Sequence, residues 1–155
     1  MQSDVLERYK KFQTKFSLPH LTELKETFNF ELEEEGELFE QIRTEISNRV
    51  FSFTERIIEP IIGDADSLSG FYEQGMITKE DKNRLFDLYK KLQVLKWKNN
   101  MLLMDPDEED VAEWIRETWQ FWNDDMKKEL RSVCKKLSAG WKDLKFKSEA
   151  TNYHG

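Results

Sequence analysis

Carboxylates are the most numerous side chains in this sequence that could perform chemistry. The chain of 155 residues has 31 aspartates and glutamates, but only two histidines and one cysteine. A di-iron centre inside a helical bundle needs inward-facing glutamates and Glu-x-x-His pairs on two helices. Neither His20 nor His154 follows a glutamate by three positions, and the acidic residues lie away from the apolar helix faces. The sequence therefore predicts no metal centre of this kind, and we expect no cofactor.

Two stretches begin with the aspartate spacing of a calcium-binding loop. The first starts at Asp64, but Ser69 stands where the loop requires a glycine and Gly75 stands where it requires a bidentate glutamate. The second starts at Asp105 and fails at the same two positions. We therefore interpret both stretches as turns and helix caps, not as calcium sites.

Nucleophilic catalysis has little support in the sequence. Cys134 lies at the edge of a predicted apolar helix face, where a lone cysteine is usually a small buried hydrophobic residue. No histidine is placed near it, and the chain contains neither a glycine-rich phosphate loop nor a nucleophile-elbow pattern. An enzyme is thus unsupported, and the alternative of an active site assembled from scattered carboxylates stays open.

The composition favours a helical protein. Six glycines and three prolines are too few for the turns of a sandwich or barrel, whereas 35% charged and 13% aromatic residues suit a bundle with a charged outside and a bulky core. The first thirty residues contain no unbroken apolar stretch, so we expect no signal peptide, no membrane span and no membrane partner. The predicted location is the cytoplasm.

Apolar residues recur at steps of three and four in the first half of the chain, which is the pattern of a helix that buries one face. The first stretch begins near Val5 and is interrupted at Leu18-Pro19, because proline disfavours helical geometry in the residue before it. The second covers about 31–62 and contains Gly36 near its start. We expect that helix to begin on one or the other side of this glycine.

The second half of the chain predicts two more long helices. One runs from about 79 to 104 behind a capping Thr78. The other begins at a predicted capping box in which Asp105 is the cap and Pro106 is the first helical residue, and it ends near Gly140. Trp119 and Trp122 lie in its predicted inward stripe.

Helices of these lengths must pack side by side. The predicted fold is all-α: an elongated, mostly antiparallel bundle of three long helices with the broken N-terminal helix as a fourth member or brace. Residues 1–140 form the predicted single domain, and residues 141–155 form a polar tail that we expect to fray.

Five apolar residues lie off the centre of their predicted helix stripes: Trp97, Met101, Met104, Trp114 and Phe121. Either another helix covers them or they form a patch that contacts another protein or a second copy. The sequence therefore favours a non-enzymatic protein–protein interaction module, either an adaptor or a self-associating domain that could be a homodimer, with these residues in its partner-binding surface.

The alternative partner is nucleic acid, contacted by the segment 127–147. This segment combines basic residues with Trp141, a mixture that could contact phosphates and stack on bases. Against it, the chain has a net charge of −7, and basic residues at a helix end also complement the helix dipole. The candidate residues are Lys127, Lys128, Arg131, Lys135, Lys136 and Trp141.

Overall fold

The computed structural model describes residues 2–33 and 35–145. The protein is all-helical, with 83% helix and no strand in this part of the chain, so the predicted fold class is confirmed at that level. No described helix is both long and apolar enough to cross a membrane. The helices are α1 Gln2–Phe16, α2 Leu21–Phe28, α3 Leu38–Phe53, α4 Glu59–Ile62, α5 Leu68–Met76, α6 Lys79–Met104, α7 Glu108–Phe121 and α8 Lys127–Asp143.

The N-terminal helix is broken where the sequence predicts. Helix α1 ends at Phe16, and Ser17 adopts a left-handed conformation with φ +56°. The buried Tyr9 hydroxyl donates a hydrogen bond of 2.5 Å to the Pro19 carbonyl. This bond ties the segment between α1 and α2 back onto α1.

Helix α3 begins after Gly36, whose φ of +100° is favourable only for glycine. The side chain of Gln41 holds the preceding loop: its Oε1 accepts from the Glu33 backbone N–H at 2.8 Å, and its Nε2 donates to the Glu35 carbonyl at 3.0 Å. Glu33 and Glu35 therefore lie in a loop, and of the two predicted starts the helix takes the one after Gly36.

Two π-helical turns interrupt otherwise continuous helices. Residues Thr54–Ile58 join α3 to α4, and residues Trp122–Met126 join α7 to α8. A π turn bonds residue i to residue i+5 and so contains one additional residue. In the continuous helix formed by α7, the second π turn and α8, one buried stripe consists of Val111, Ile115, Thr118, Phe121, Met126, Leu130 and Val133, with a step of five across the π turn. Ala112 and Trp114 are buried beside this stripe.

Trp119 and Trp122 are half-buried beside this core instead of central in it. A helix with steps of only three and four would bury Trp119, Trp122 and then Met126. In the structure the buried positions are Thr118, Phe121 and Met126. The predicted inward stripe is therefore wrong in the turn that precedes the π turn.

The bounds of α6 agree with the prediction. Thr78 caps it, its hydroxyl accepting from the Asp81 N–H at 3.1 Å. The cap of α7 differs, because Asp107 and not Asp105 accepts from the backbone N–H of Asp110, at 3.2 Å. Asp105 instead follows the last residue of α6, and its N–H bonds to the Met101 carbonyl.

Gly140 does not end α8, which continues to Asp143. A Cβ atom at this position would lie 2.5 Å from Met76 Sδ, so the glycine allows α8 to approach α5 closely. The predicted stop is therefore wrong, since this glycine serves packing and not termination. Of the predicted frayed tail, residues 141–143 are helical and residues 146–155 lie outside the described residues.

Candidate interaction surfaces

Helix α6 carries apolar residues on two opposite faces. The inner face consists of Leu85, Leu88, Leu92, Leu95, Asn99 and Leu102, all buried. A second set follows two positions later with the same steps of three and four, and we call it the outer seam: Val94, Trp97, Met101 and Met104. Since each residue turns the helix by about 100°, a shift of two residues places the outer seam roughly 200° from the inner face.

The outer seam is uncovered in the structure. Its four side chains are between 52% and 80% exposed. Leu103 and Phe86 on the same helix are also exposed. Apolar side chains that recur at heptad spacing along one exposed helix face are typical of a surface that packs against another helix.

A buried polar network holds the inner face against α3. The Asn99 amide accepts from Arg43 and donates to the Ser47 hydroxyl at 3.1 Å. Arg43 is 2% exposed and also forms an ion pair of 2.8 Å with Glu40. Because rotation of α6 would leave these polar groups without partners, the network fixes which side of the helix points outward.

Two residues of the predicted partner-binding set are buried within the chain itself. The indole N–H of Trp114 donates to the Leu95 carbonyl at 2.9 Å, and the ring packs beside Phe51. Phe121 is 3% exposed, and Lys91 Nζ lies 5.1 Å from its ring centre. Helices α3 and α6 therefore cover these side chains, and their predicted place in an exposed patch is wrong. Trp97, Met101 and Met104 stay exposed.

A groove of about 430 Å³ runs between α6 and α7 along one edge of the outer seam. Lys98 lies at this edge and forms an ion pair of 3.1 Å with Glu117. Nearer the end of α6, the same groove is lined by Asp105, Asp110 and Glu113. These three carboxylates form no ion pair with any residue of the described chain, and we call them the acidic edge.

The basic residues of α8 share one shallow trough of about 570 Å³. Its lining consists of Asn123, Lys127, Lys128, Arg131, Ser132, Lys135 and Lys136. Lys136 forms an ion pair within the protein, since its Nζ lies 2.5 Å from the buried carboxylate of Asp81. The other four basic residues form no ion pair within residues 2–33 and 35–145.

Trp141 is separate from this trough. Its indole N–H donates to Glu73 at 2.8 Å, and its ring centre lies 5.8 Å from that of Tyr72. Together with Phe71 and Leu68, both more than two-thirds exposed, these rings form a second apolar patch on α5 and α8. This patch could not be predicted from the sequence, because the spacing in α5 does not show which side of so short a helix is covered.

No hydrogen bond joins Cys134 to His20 in the part of the chain that the structure describes, and His154 lies outside it. Cys134 is exposed and not buried as expected, and His20 contacts Gln13 at 3.0 Å. No group of three or more potential metal ligands occurs among the residues that the structure describes.

No family model, curated protein or solved structure matches this chain.

Proposed function

We propose that this chain is a non-enzymatic protein–protein interaction module that contacts its partner through the outer seam. The observation that carries the proposal is the exposure of four heptad-spaced apolar side chains on the side of α6 opposite its buried face. Contiguous exposed apolar patches on a soluble protein often mark interaction sites, and tryptophan is enriched among the residues that contribute most to binding.

The scaffold of this module is, in our proposal, the elongated and mostly antiparallel bundle of three long helical rods within residues 1–140. The ion pairs between α6 and the continuous helix of α7 and α8 support it. Lys98 pairs with Glu117, Lys91 with Asp125, and Arg84 with Glu129. Because later residues of one helix pair with earlier residues of the other, the two helices run in opposite directions.

The reducing cytoplasm is the compartment we propose for this module. Cys134 is exposed and unpaired, and exposed thiols persist in reduced form where glutathione and thioredoxin act on them.

Site-specific photo-crosslinking tests the proposal. A benzoyl-phenylalanine at position 97 should yield a discrete adduct when the full chain is irradiated in its native cells. The same group at the exposed Asn48 of α3, the helix that packs against the opposite, inner face of α6, should not. Circular dichroism of both proteins checks that they remain folded. Equal labelling at the two positions, or none at position 97, would refute the proposal.

Nucleic-acid binding is the second candidate function, and the shared basic trough on α8 favours it. Four exposed cations that form no ion pair with the described residues could contact phosphates, although Trp141 is not placed to stack on a base beside them. If all four contact duplex DNA, the logarithm of the binding constant should fall with the logarithm of the salt concentration with a slope of roughly −3.6. Fluorescence anisotropy with a labelled duplex measures this slope. The R131E/K135E variant should abolish binding, and no binding by the unaltered chain at low salt would remove this candidate.

A further inference from the structure

We infer that the occupant of the outer seam is a second copy of this chain, whose α6 lies antiparallel to the first. The inference rests on the proposed interaction function and adds the identity and the orientation of the partner.

The seam spacing allows its residues to alternate in layers when two copies run in opposite directions. With the two-fold axis at the middle of the seam, Val94 faces the partner's Met104 and Trp97 faces the partner's Met101. Each bulky indole then packs against a flexible thioether, which adapts its shape and interacts favourably with aromatic rings. A parallel pair would instead place each Trp97 against the partner's Trp97.

The charges at the edge of the seam also favour the antiparallel pair. Along the edge that faces α7, α6 carries Lys91 before the seam and Lys98 at the middle of the seam, and the acidic edge of Asp105, Asp110 and Glu113 lies near the end of α6. An antiparallel two-fold pair brings the same edge of both helices together with the ends exchanged. The carboxylates of each copy then face the partner's Lys91, and the two Lys98 side chains, each paired with Glu117 of its own chain, lie beside the two-fold axis.

Lys91 remains able to make this contact. Its side chain is 54% exposed and pairs within the chain with Asp125. The ammonium group has three N–H donors, so it can bridge a carboxylate of its own chain and one of the partner. A parallel pair would leave the acidic edge against the uncharged Gln93 and Asn100 instead.

The size of the seam predicts a reversible dimer. Its four residues extend over about 15 Å of helix, whereas a stable interface buries about 800 Å² on each partner. We therefore expect a dissociation constant on the order of 10–100 µM, so the dimer forms at high local concentration.

Sedimentation equilibrium of the full chain across this concentration range tests the inference. The unaltered chain should show a monomer–dimer equilibrium, and W97A/M101A should weaken it at least tenfold without changing the thermal melting curve, because both side chains are exposed. L68A/F71A is the matched control: it removes two similarly exposed apolar side chains from α5 and should leave the equilibrium unchanged. A monomer at every concentration would overturn the inference.

Charge exchange tests the antiparallel arrangement. The variants K91E/K98E and D105K/E113K should each dimerise at least tenfold more weakly than the unaltered chain, because like charges then face each other. An equimolar mixture should restore association as a heterodimer. A mixture that stays monomeric would show that the edges do not meet in this way and would overturn the inference.

The photo-crosslink at position 97 separates the failure of this inference from failure of the proposed function. An adduct with twice the mass of the chain supports the second copy. An adduct of another mass, with a monomer in sedimentation, overturns the second copy and supports the proposed function. Co-sedimentation of the chain with phosphatidylserine vesicles that is lost in W97A/M101A, without any protein adduct, would assign the seam to a lipid surface and overturn both.

Discussion

Removing the charge of Asp81 should destabilise the protein by about 2 kcal/mol. This carboxylate lies in the first turn of α6 and is 4% exposed. One oxygen contacts the guanidinium of Arg84, and the other lies 2.5 Å from Lys136 Nζ on α8. Asp81 therefore connects the start of α6 to α8, and D81N weakens both contacts.

The magnitude follows from the exposure of the partners. A hydrogen bond to a charged group contributes about 1.5–3 kcal/mol, and breaking a fully buried ion pair costs about 3–5 kcal/mol. The side chains of Arg84 and Lys136 are 49% and 41% exposed, so water can solvate them after the substitution. The range of about 1.5–3 kcal/mol for a hydrogen bond to a charged group therefore applies, and the melting temperature should fall by roughly 4–8 °C.

The pH dependence of this loss has a defined sign. The hydrogen bond from Lys136, followed by that from Thr78 and the nearby charges, holds the pKa of Asp81 below its ordinary value of 3.8 despite burial. The contribution is therefore complete above pH 3.8 and is lost as the pH falls through the folded-state pKa. The difference in unfolding free energy between D81N and the unaltered chain should shrink below about pH 4.

Urea unfolding followed by circular dichroism at several pH values measures both effects. D87N is the matched control, because the side chain of Asp87 is 74% exposed and its ion pair with Lys90 spans 3.7 Å; it should cost less than about 0.5 kcal/mol. A D81N loss as small as that of the control, or one that is constant down to pH 2, would refute the argument.

Three further substitutions have expected outcomes that urea unfolding can check. G140A should destabilise by about 1 kcal/mol, against the usual gain from alanine in a helix, because its Cβ would meet Met76; M76A should remove that penalty. T118V should stabilise by about 1 kcal/mol, since the buried Thr118 hydroxyl has no hydrogen-bond partner among the described residues, and a loss would contradict this. Y9F should cost about 1 kcal/mol of unfolding free energy. Burial and then the charge of Glu23 raise the pKa of Tyr9 above 10.0, so the stabilising contribution of this residue is complete below pH 10.0 and is lost as the pH rises through the raised pKa. Absorbance at 295 nm should then show one tyrosine that ionises at higher pH than the others.

Helix α6 could be predicted from the sequence because all of its signals are local. Thr78 caps its start, its leucines repeat at steps of three and four, and Asp105-Pro106 follows its end. The same spacing places Trp97 on the side opposite these leucines, while leaving open whether another helix covers it. The opposite face of the helix already holds enough leucines to fill the core, so the residues two positions later must point away from it.

The burial of Trp114 and Phe121 could not be predicted in this way. For Phe121 it depends on the π turn at Trp122–Met126, where an additional residue changes which side chains face inward. Steps of three and four were the assumption behind the predicted stripe, and they fail wherever a step of five occurs. The partners of Trp114 on α3 and α6 are moreover distant in sequence, so no local pattern shows that they cover it.

The polar network on the inner face of α6 explains why the outer seam stays uncovered within one chain. A rotation of α6 by one residue, about 100°, would bring part of the seam towards the core and bury more apolar surface. The buried apolar area gained in this way would be offset, because the same rotation would expose leucines of the inner face. It would also withdraw Asn99 from Arg43 and Ser47, and each buried polar group left without a partner costs about 1–3 kcal/mol. The network therefore selects the orientation in which Trp97, Met101 and Met104 face outward and are available to a partner.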